Sequence, residues 1–308
     1  MNKVVAICGP TAVGKTAYSI EIAKKFDGEI VSCDSMQLYK YMDIGSAKPS
    51  SEELNQVKHH LIGIVDPSEM FSVAKYKELA NDAIDDIISR GKLPIIAGGT
   101  GLYLDALLYD LDFAAAPSDD SLRDELYKIA EEKGNLELHA ILQECDPCSA
   151  QRIHPNNVRR VVRAIESAKS GVQLKDFAKD LSLNDKYEFI LIGLRRDREE
   201  LYERINRRVD ILVEEGLFEE VKMLRDMGLS ESDISMKGIG YKEVLAYFDG
   251  EYDLETAIDT IKKNTRHFAK RQITWLKRYD DMKWFDLSES KDDIDSIREI
   301  ITWLEKNL

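Results

Sequence analysis

The strongest constraint on this chain lies at its start. Val4-Val5-Ala6-Ile7-Cys8 is a short apolar run, and Gly9-Pro10-Thr11-Ala12-Val13-Gly14-Lys15-Thr16 follows it directly. A G-x-x-x-x-G-K-[ST] loop between a strand and an amphipathic stretch is a phosphate cradle, or P-loop. Its glycines let backbone N–H groups turn inward as an anion nest, and the next helix adds its positive end. Lys15 contributes a full charge, and Thr16 offers a hydroxyl to Mg²⁺. The loop specifies a polyphosphate without saying which. A strand that feeds such a loop belongs to a parallel sheet with helices on its faces.

The rest of the first third agrees. Apolar runs at 29–33, 61–65 and 93–97 read as buried strands, and the stretches at 15–26 and 73–89 as helices, with right-handed crossovers between strands. After Asp112 the pattern changes. Ala114 to Asp120 reads as a hinge, and helices are predicted near 121–133, stopped by Gly134, at 136–144, and at 156–170, stopped by Gly171. A strand at 187–194 rejoins the first sheet. Helices near 197–226 and 254–278, a strand at 282–285 and a terminal helix complete the chain. The expected fold is α/β, a P-loop parallel sheet flanked by helices with an all-helical insertion domain. Its boundaries are 1–112 for the first part of the catalytic core, 113–185 for the insertion and 186–308 for the second part of the core.

Composition removes several function classes. With 44% apolar and 32% charged residues in 308, the chain can bury a real core and is not a disordered protein. No signal-peptide pattern opens it, and no run approaches about 20 apolar residues, so no membrane is expected and the cytoplasm is the expected location. Four cysteines make no disulfide framework, and Cys145-x-x-Cys148 lacks the second ligand pair of a zinc site, so two cysteines near a helix end is the better reading. A net charge of −14 argues against indiscriminate coating of nucleic acid. Yet from Ile261 to Tyr279 there are seven Lys or Arg and no acid. At ~100° per residue, Lys262, Lys263, Arg266, Lys270 and Lys277 share one helix face, broken only by Ile273, while Phe268, Trp275 and Tyr279 lie opposite. One side is expected to pack and the other to meet phosphate. Arg152, His154, Arg159, Arg160 and Arg163 form a second basic cluster, which is also what an ordinary solvated helix face looks like.

Asp34 closes the second predicted strand, so it shares the crevice at the C-terminal strand ends with the P-loop. It can bind Mg²⁺, accept a proton from an attacking group, or merely cap a turn. The strand at 93–97 ends in Gly98-Gly99-Thr100 without an acid, which weakens a nucleoside triphosphate hydrolase. Thr100 can present its hydroxyl to the same crevice or cap a helix. Arg204 and Arg208, four apart on one helix, can face one diphosphate, or pair with Glu200 or Glu203.

Several segments together resemble the signature blocks of the bacterial tRNA dimethylallyltransferases. They are the P-loop, Asp34-Ser35-Met36-Gln37-Leu38-Tyr39 with Met42 to Pro49, His59-His60-Leu61, Gly98 to Tyr103, Arg152 to Asn156, and Lys270-Arg271-Gln272-Ile273-Thr274-Trp275. They keep the family's order over nearly the whole chain. Leu38, where the family often has Val or Ile, is a conservative departure, and no cysteines are present for the C-terminal zinc module of the eukaryotic relatives. The resemblance implies transfer of a dimethylallyl group from dimethylallyl diphosphate to N6 of the adenosine 3′-adjacent to the anticodon, position 37, in tRNAs reading U-starting codons. Mg²⁺ is the implied cofactor, the tRNA anticodon stem-loop the partner, and a monomer the expected state.

Catalysis would rest on Asp34, Thr100, Lys15, Arg204 and Arg208. The tRNA would be met by Asp34, Ser35, Met36, Gln37, Thr100, Arg123, Val158, Arg159, Arg160, Arg163, Arg266 and Lys270, and the metal by Thr16. The rival readings are a kinase of a nucleotide or small molecule, a prenyl transferase acting on free adenosine phosphates, and a non-catalytic nucleotide-switched RNA-binding module. Loss of turnover with retained diphosphate binding on Asp34→Ala would separate them.

Overall fold

Val4, Val5, Ala6 and Ile7 have no exposed surface, because the strand they form, β1 (Asn2–Cys8), pairs on both edges and is covered on both faces. The computed structural model describes residues 1–109, 111, 120–171, 182–290 and 292–308. The chain divides into two compact units, Met1–Leu108 with Asn184–Leu308, and Tyr109–Leu183.

The first unit continues with α1 (Lys15–Lys25), β2 (Gly28–Cys33), α2 (Ser51–Gln56), β3 (His59–His60), α3 (Val73–Ser89), β4 (Leu93–Gly98) and α4 (Gly101–Leu108). The second holds α5 (Asp120–Lys133), α6 (Asn135–Cys145), α7 (Pro147–Arg152) and α8 (Val158–Lys169). The chain returns to the first unit through β5 (Tyr187–Arg195), α9 (Arg198–Glu214), α10 (Leu217–Asp226), α11 (Tyr241–Phe248), α12 (Leu254–Leu276), β6 (Lys283–Asp286) and α13 (Asp293–Leu304).

The sheet has the order β3-β2-β4-β1-β5-β6, and all its pairings are parallel. Register aligns the functional ends: Cys8 lies opposite Gly98 and Gly193, and Cys33 opposite Gly98. The loops after β1, β2 and β4 therefore open onto one crevice. Beneath it, Val5, Ile7, Ile22, Ile95, Ile192, Leu194, Ile205 and Ile300 form a continuous core. Truncating one such residue to Ala would cost about 2–5 kcal/mol.

The expected strand at 61–65 is not formed. Leu61 and Gly63 both have φ of 61°, so the chain turns twice in the left-handed region where it would have to be extended. Only His59–His60 joins the sheet, and Val65 makes an isolated bridge to Tyr39. The single helix expected over 197–226 is two helices, divided at Gly216 with φ 105°.

Among its described residues, the second unit's elements are helices, with an isolated bridge between Tyr109 and Leu183. Its core is Leu126, Leu138, Leu142, Val161, Ala164 and Ile165. Asp146 caps α7 by accepting from the Ser149 N–H at 3.0 Å, with Pro147 at the first helical position. The hinge expected at 114–120 lies almost wholly outside the described residues. Among those described, no helix is long and apolar enough to cross a membrane.

Candidate active site

The loop between β1 and α1 needs glycine at two positions for different reasons. Gly14 caps α1 with φ 116°, a conformation that strains any L side chain. At Gly9 a Cβ would sit 2.8 Å from the Leu194 carbonyl oxygen. Between them Ala12 holds φ 63°. Cationic groups take up the loop's carbonyls. Lys15 Nζ donates to Gly9 O at 3.1 Å and Pro10 O at 2.8 Å, Arg204 Nε to Ala12 O at 3.0 Å, and Arg196 Nε to Val13 O at 3.1 Å. The first turn of α1 contains no acid, so its unpaired N–H groups keep their positive end. Burial, helped by the charge of Arg208 and opposed by Asp34, brings the Lys15 ammonium down to about 8.

Lys15 and Thr16 line a cleft together with Asp34, Gln37, Pro49 and His59. Asp34 leaves the end of β2 in a turn: its Oδ1 accepts from the Met36 N–H at 2.9 Å and the Gln37 N–H at 3.4 Å. One carboxylate oxygen therefore fixes the turn, and the same side chain still borders the cleft. Thr100 Oγ1 accepts from the Ser35 N–H at 3.1 Å, while its carbonyl accepts from the Tyr103 and Leu104 N–H groups at the start of α4. Thr100 thus both begins a helix and ties the end of β4 to the Asp34 turn. The Gly98-Gly99 pair is what allows that approach, since a Cβ on Gly98 would lie 2.1 Å from Cys33 O.

Arg204 and Arg208 lie along one face of α9, and the structure brings both to this end of the sheet. Arg204 holds the phosphate loop, and Arg208 Nη2 donates to Ala47 O at 3.5 Å. Burial pulls Arg208 below its ordinary value, and Asp34 pulls it back. Glu200 pairs instead with Arg196, at 2.6 Å.

Three site elements were given no role by the sequence. Glu220, 7% exposed on α10, accepts from the N–H groups of Asp43, Ile44 and Gly45 at 2.7, 2.7 and 2.9 Å and from Tyr241 OH at 2.7 Å. The loop it clasps carries Ala47, whose carbonyl also accepts from Gln37 Nε2 at 3.1 Å. Arg196 joins the phosphate loop to Asp293 on α13, and Asp293 accepts from Tyr18 OH at 2.9 Å. Gln272 on α12 bonds Thr11 and Gly99. For Glu220 the sequence signal is an isolated acid in a helix and for Arg196 a lone base in a connection, neither of which carries an address, while Gln272 was marked only by its place in the block Lys270 to Trp275.

The nucleic-acid candidates separate into bound and exposed groups. In the second unit, Arg123 Nε lies 2.7 Å and Arg163 Nη1 3.3 Å from the buried Glu166, whereas Arg159 and Arg160 are exposed and Val158 is half-buried. On α12 the separation of faces differs from the expectation. Arg266 Nη1 donates to Asn206 Oδ1 at 2.5 Å and Lys262 pairs with Asp210 at 2.6 Å, so this edge of the basic face packs against α9. Lys263, Lys270, Arg271, Lys277 and Arg278 are exposed. His59 Nδ1 donates to Val57 O, and His60 bonds Glu29. Both are packed histidines. Cys145 and Cys148 are exposed thiols, and the described residues contain no group of three or more His, Cys, Asp or Glu able to hold a metal. A magnesium ion with few protein ligands still suits the cleft, because Thr16 and Asp34 supply hard oxygen donors beside a phosphate loop.

Comparison with known proteins gives one answer. The IPP transferase family model matches residues 37–279. The tRNA dimethylallyltransferase of Clostridioides difficile (strain 630) is 50% identical over 99% of this chain and 98% of its own length. That of Alkaliphilus oremlandii (strain OhILAs) is 51% identical over 93% and 92%. The crystal structure of a tRNA isopentenylpyrophosphate transferase from Bacillus halodurans superposes with TM-score 0.75 at 45% identity, covering 99% of this chain and 96% of that one. A eukaryotic dimethylallyltransferase captured acting on tRNA gives TM-score 0.84 at 29% identity, covering 100% of this chain and 80% of that one.

Proposed function

As the chain belongs to the IPP transferase family, we propose that it prenylates tRNA, moving the dimethylallyl group of dimethylallyl diphosphate onto N6 of the adenosine at position 37 in tRNAs that read U-starting codons. The observation that carries this reading is the placement of Asp34 and the Lys15–Thr16 pair on one cleft, with a base on one side and a diphosphate cradle on the other.

In this reading the N6 lone pair attacks C1 of the allylic chain as the C1–O bond breaks, and the bonding electrons leave on diphosphate. Negative charge grows where Lys15, the α1 terminus and Arg208 are placed to meet it. Mg²⁺, held by Thr16 and the diphosphate oxygens, would add Lewis-acid stabilisation of that charge. The proton lost from N6 passes to Asp34 through the oxygen that the turn does not use. Proton transfer of this kind is worth roughly 10²–10⁴ in rate. The turn Asp34–Gln37 meets the adenine, which must be flipped from its loop at a cost of a few kcal/mol. The exposed Lys263, Lys270, Arg159 and Arg160 supply phosphate contacts.

The kinase reading is disfavoured because β4 ends in Gly98-Gly99-Thr100, leaving no acid at the strand end beside the phosphate loop. Release of inorganic diphosphate from dimethylallyl diphosphate that depends on unmodified tRNA supports the prenyl-transfer reading. Phosphate transfer from ATP with no use of the prenyl donor would replace it with the kinase.

A further inference from the structure

The amide of Gln272 is a two-sided bridge. Its Oε1 accepts from the Thr11 N–H at 2.8 Å, and its Nε2 donates to Gly99 O at 3.0 Å. The partners fix the orientation, since an N–H needs the oxygen and a carbonyl needs the NH₂. Gln272 is 6% exposed; its bond to Gly99 O is buried and that from Thr11 part-buried, so water has little access to the bridge. The bridge is tightly seated, for a Cβ on Gly99 would come within 2.2 Å of Nε2.

Thr11 belongs to the loop assigned to the leaving diphosphate, and Gly99 precedes Thr100, whose hydroxyl holds the Ser35 N–H of the Asp34 turn. A chain of three hydrogen bonds therefore runs from the phosphate loop through Gln272 and the Gly99–Thr100 turn to the turn carrying Asp34. The support behind it is stiff. Trp275 packs on Gly101 where a Cβ would approach within 2.3 Å, and Tyr279 OH bonds the buried Asp105, so the end of α12 and the turn after it grip the segment 99–105.

We propose that Gln272 is a positioning residue for the transfer: it fixes the separation between the diphosphate loop and the Asp34 turn, and so the distance that the allylic carbon must close to reach N6. This rests on the prenyl-transfer reading of the same cleft. Displaced register costs rate far more than binding, because each half of the site still recognises its own substrate. Where N6 is out of line, water can take its place at C1, giving the allylic alcohol and diphosphate and releasing a proton to solvent.

The test compares wild type with Gln272→Met, which keeps the length and removes both hydrogen bonds, and Gln272→Glu, which keeps an acceptor for Thr11 and loses the donor for Gly99. Three quantities are measured: kcat for tRNA prenylation, binding of inorganic diphosphate, and the ratio of prenyl-adenosine formed to diphosphate released. Both variants are expected to lose at least roughly tenfold in kcat and to bind inorganic diphosphate within about threefold of wild type. Their product ratio should fall below that of wild type. Unchanged kcat, or loss of turnover in step with loss of diphosphate binding or of folding in both variants, would overturn the proposal. A wild-type protein that makes no prenyl-adenosine would instead remove the functional reading on which it rests.

Discussion

Arg204 Nε donates to the carbonyl oxygen of Ala12 at 3.0 Å, and Ala12 is the non-glycine residue of the phosphate loop held at positive φ, 63°. The guanidinium therefore stabilises a backbone conformation that disfavours an L side chain by roughly 1–2 kcal/mol. Arg204→Ala should weaken inorganic diphosphate binding at least about tenfold, and Arg204→Lys should not restore it, because a lysine lacks the planar fork. Titration of the variants with inorganic diphosphate checks this, and wild-type affinity in both would show that the loop holds itself.

Lys15 gives the site a pH dependence. Its ammonium is brought to about 8 by burial first and the Arg208 charge second, so the cradle holds its full charge below pH 8 and loses it above. Affinity of the free protein for inorganic diphosphate should fall as pH rises through about 8, and Lys15→Arg should remove that fall. Stability responds with the opposite sign. A base whose folded value lies below its unfolded 10.5 imposes a penalty that is complete below about 8 and is relieved as pH rises toward 10.5. Lys15→Met should therefore be more stable than wild type at pH 7, with the difference shrinking at higher pH.

Glu220 sets the loop Asp43–Gly45 through three N–H groups. Glu220→Ala takes the acceptor from three part-buried donors, which water can partly satisfy, so it should lower stability by about 1–3 kcal/mol in all. Glu220→Gln keeps an acceptor and should recover much of it. Chemical denaturation of the three proteins decides whether the clasp carries this weight.

The two edges of α12 should behave differently. Lys270 is exposed, whereas Arg266 is bonded to Asn206. Lys270→Ala should flatten the slope of log K for tRNA against log salt by about 0.7–0.9. Arg266→Ala should change that slope less and lower stability by about 1 kcal/mol. Equal slopes for both variants and wild type would remove α12 from the tRNA surface.

The parts of the site that were readable from sequence are those whose chemistry is contiguous. Gly9 to Thr16 is one loop with one conformation, and Asp34 follows its strand directly, so register placed both at the same sheet edge. Apolar content at 61–65 mimicked a strand because Leu61 gives no warning that it adopts positive φ. Gly216 was the visible break that divides α9 from α10, and a continuous helical period masked it. Glu220, Gln272 and Arg196 act through residues more than 170 positions away or on separate elements. Spacing and periodicity give none of them a partner, and the signature block around Gln272 marks the residue without saying what it holds. The bond from Arg266 to Asn206 was hidden for a related reason: helix periodicity gives a face, but only the packing of α9 says how much of it remains in water.

Transfer of a prenyl group to one tRNA adenine can be read from nucleoside masses. The protein is incubated with Mg²⁺, dimethylallyl diphosphate and unmodified tRNA, with free adenosine monophosphate in a parallel reaction, and both products are digested and weighed, for wild type and Asp34→Asn. Dimethylallyl-adenosine is expected in the tRNA digest alone, and at least roughly a hundredfold less of it per unit time with Asp34→Asn, in which the Oδ1 acceptor of the turn survives but the base does not. Prenylation of the free nucleotide, or full activity in Asp34→Asn, would contradict it.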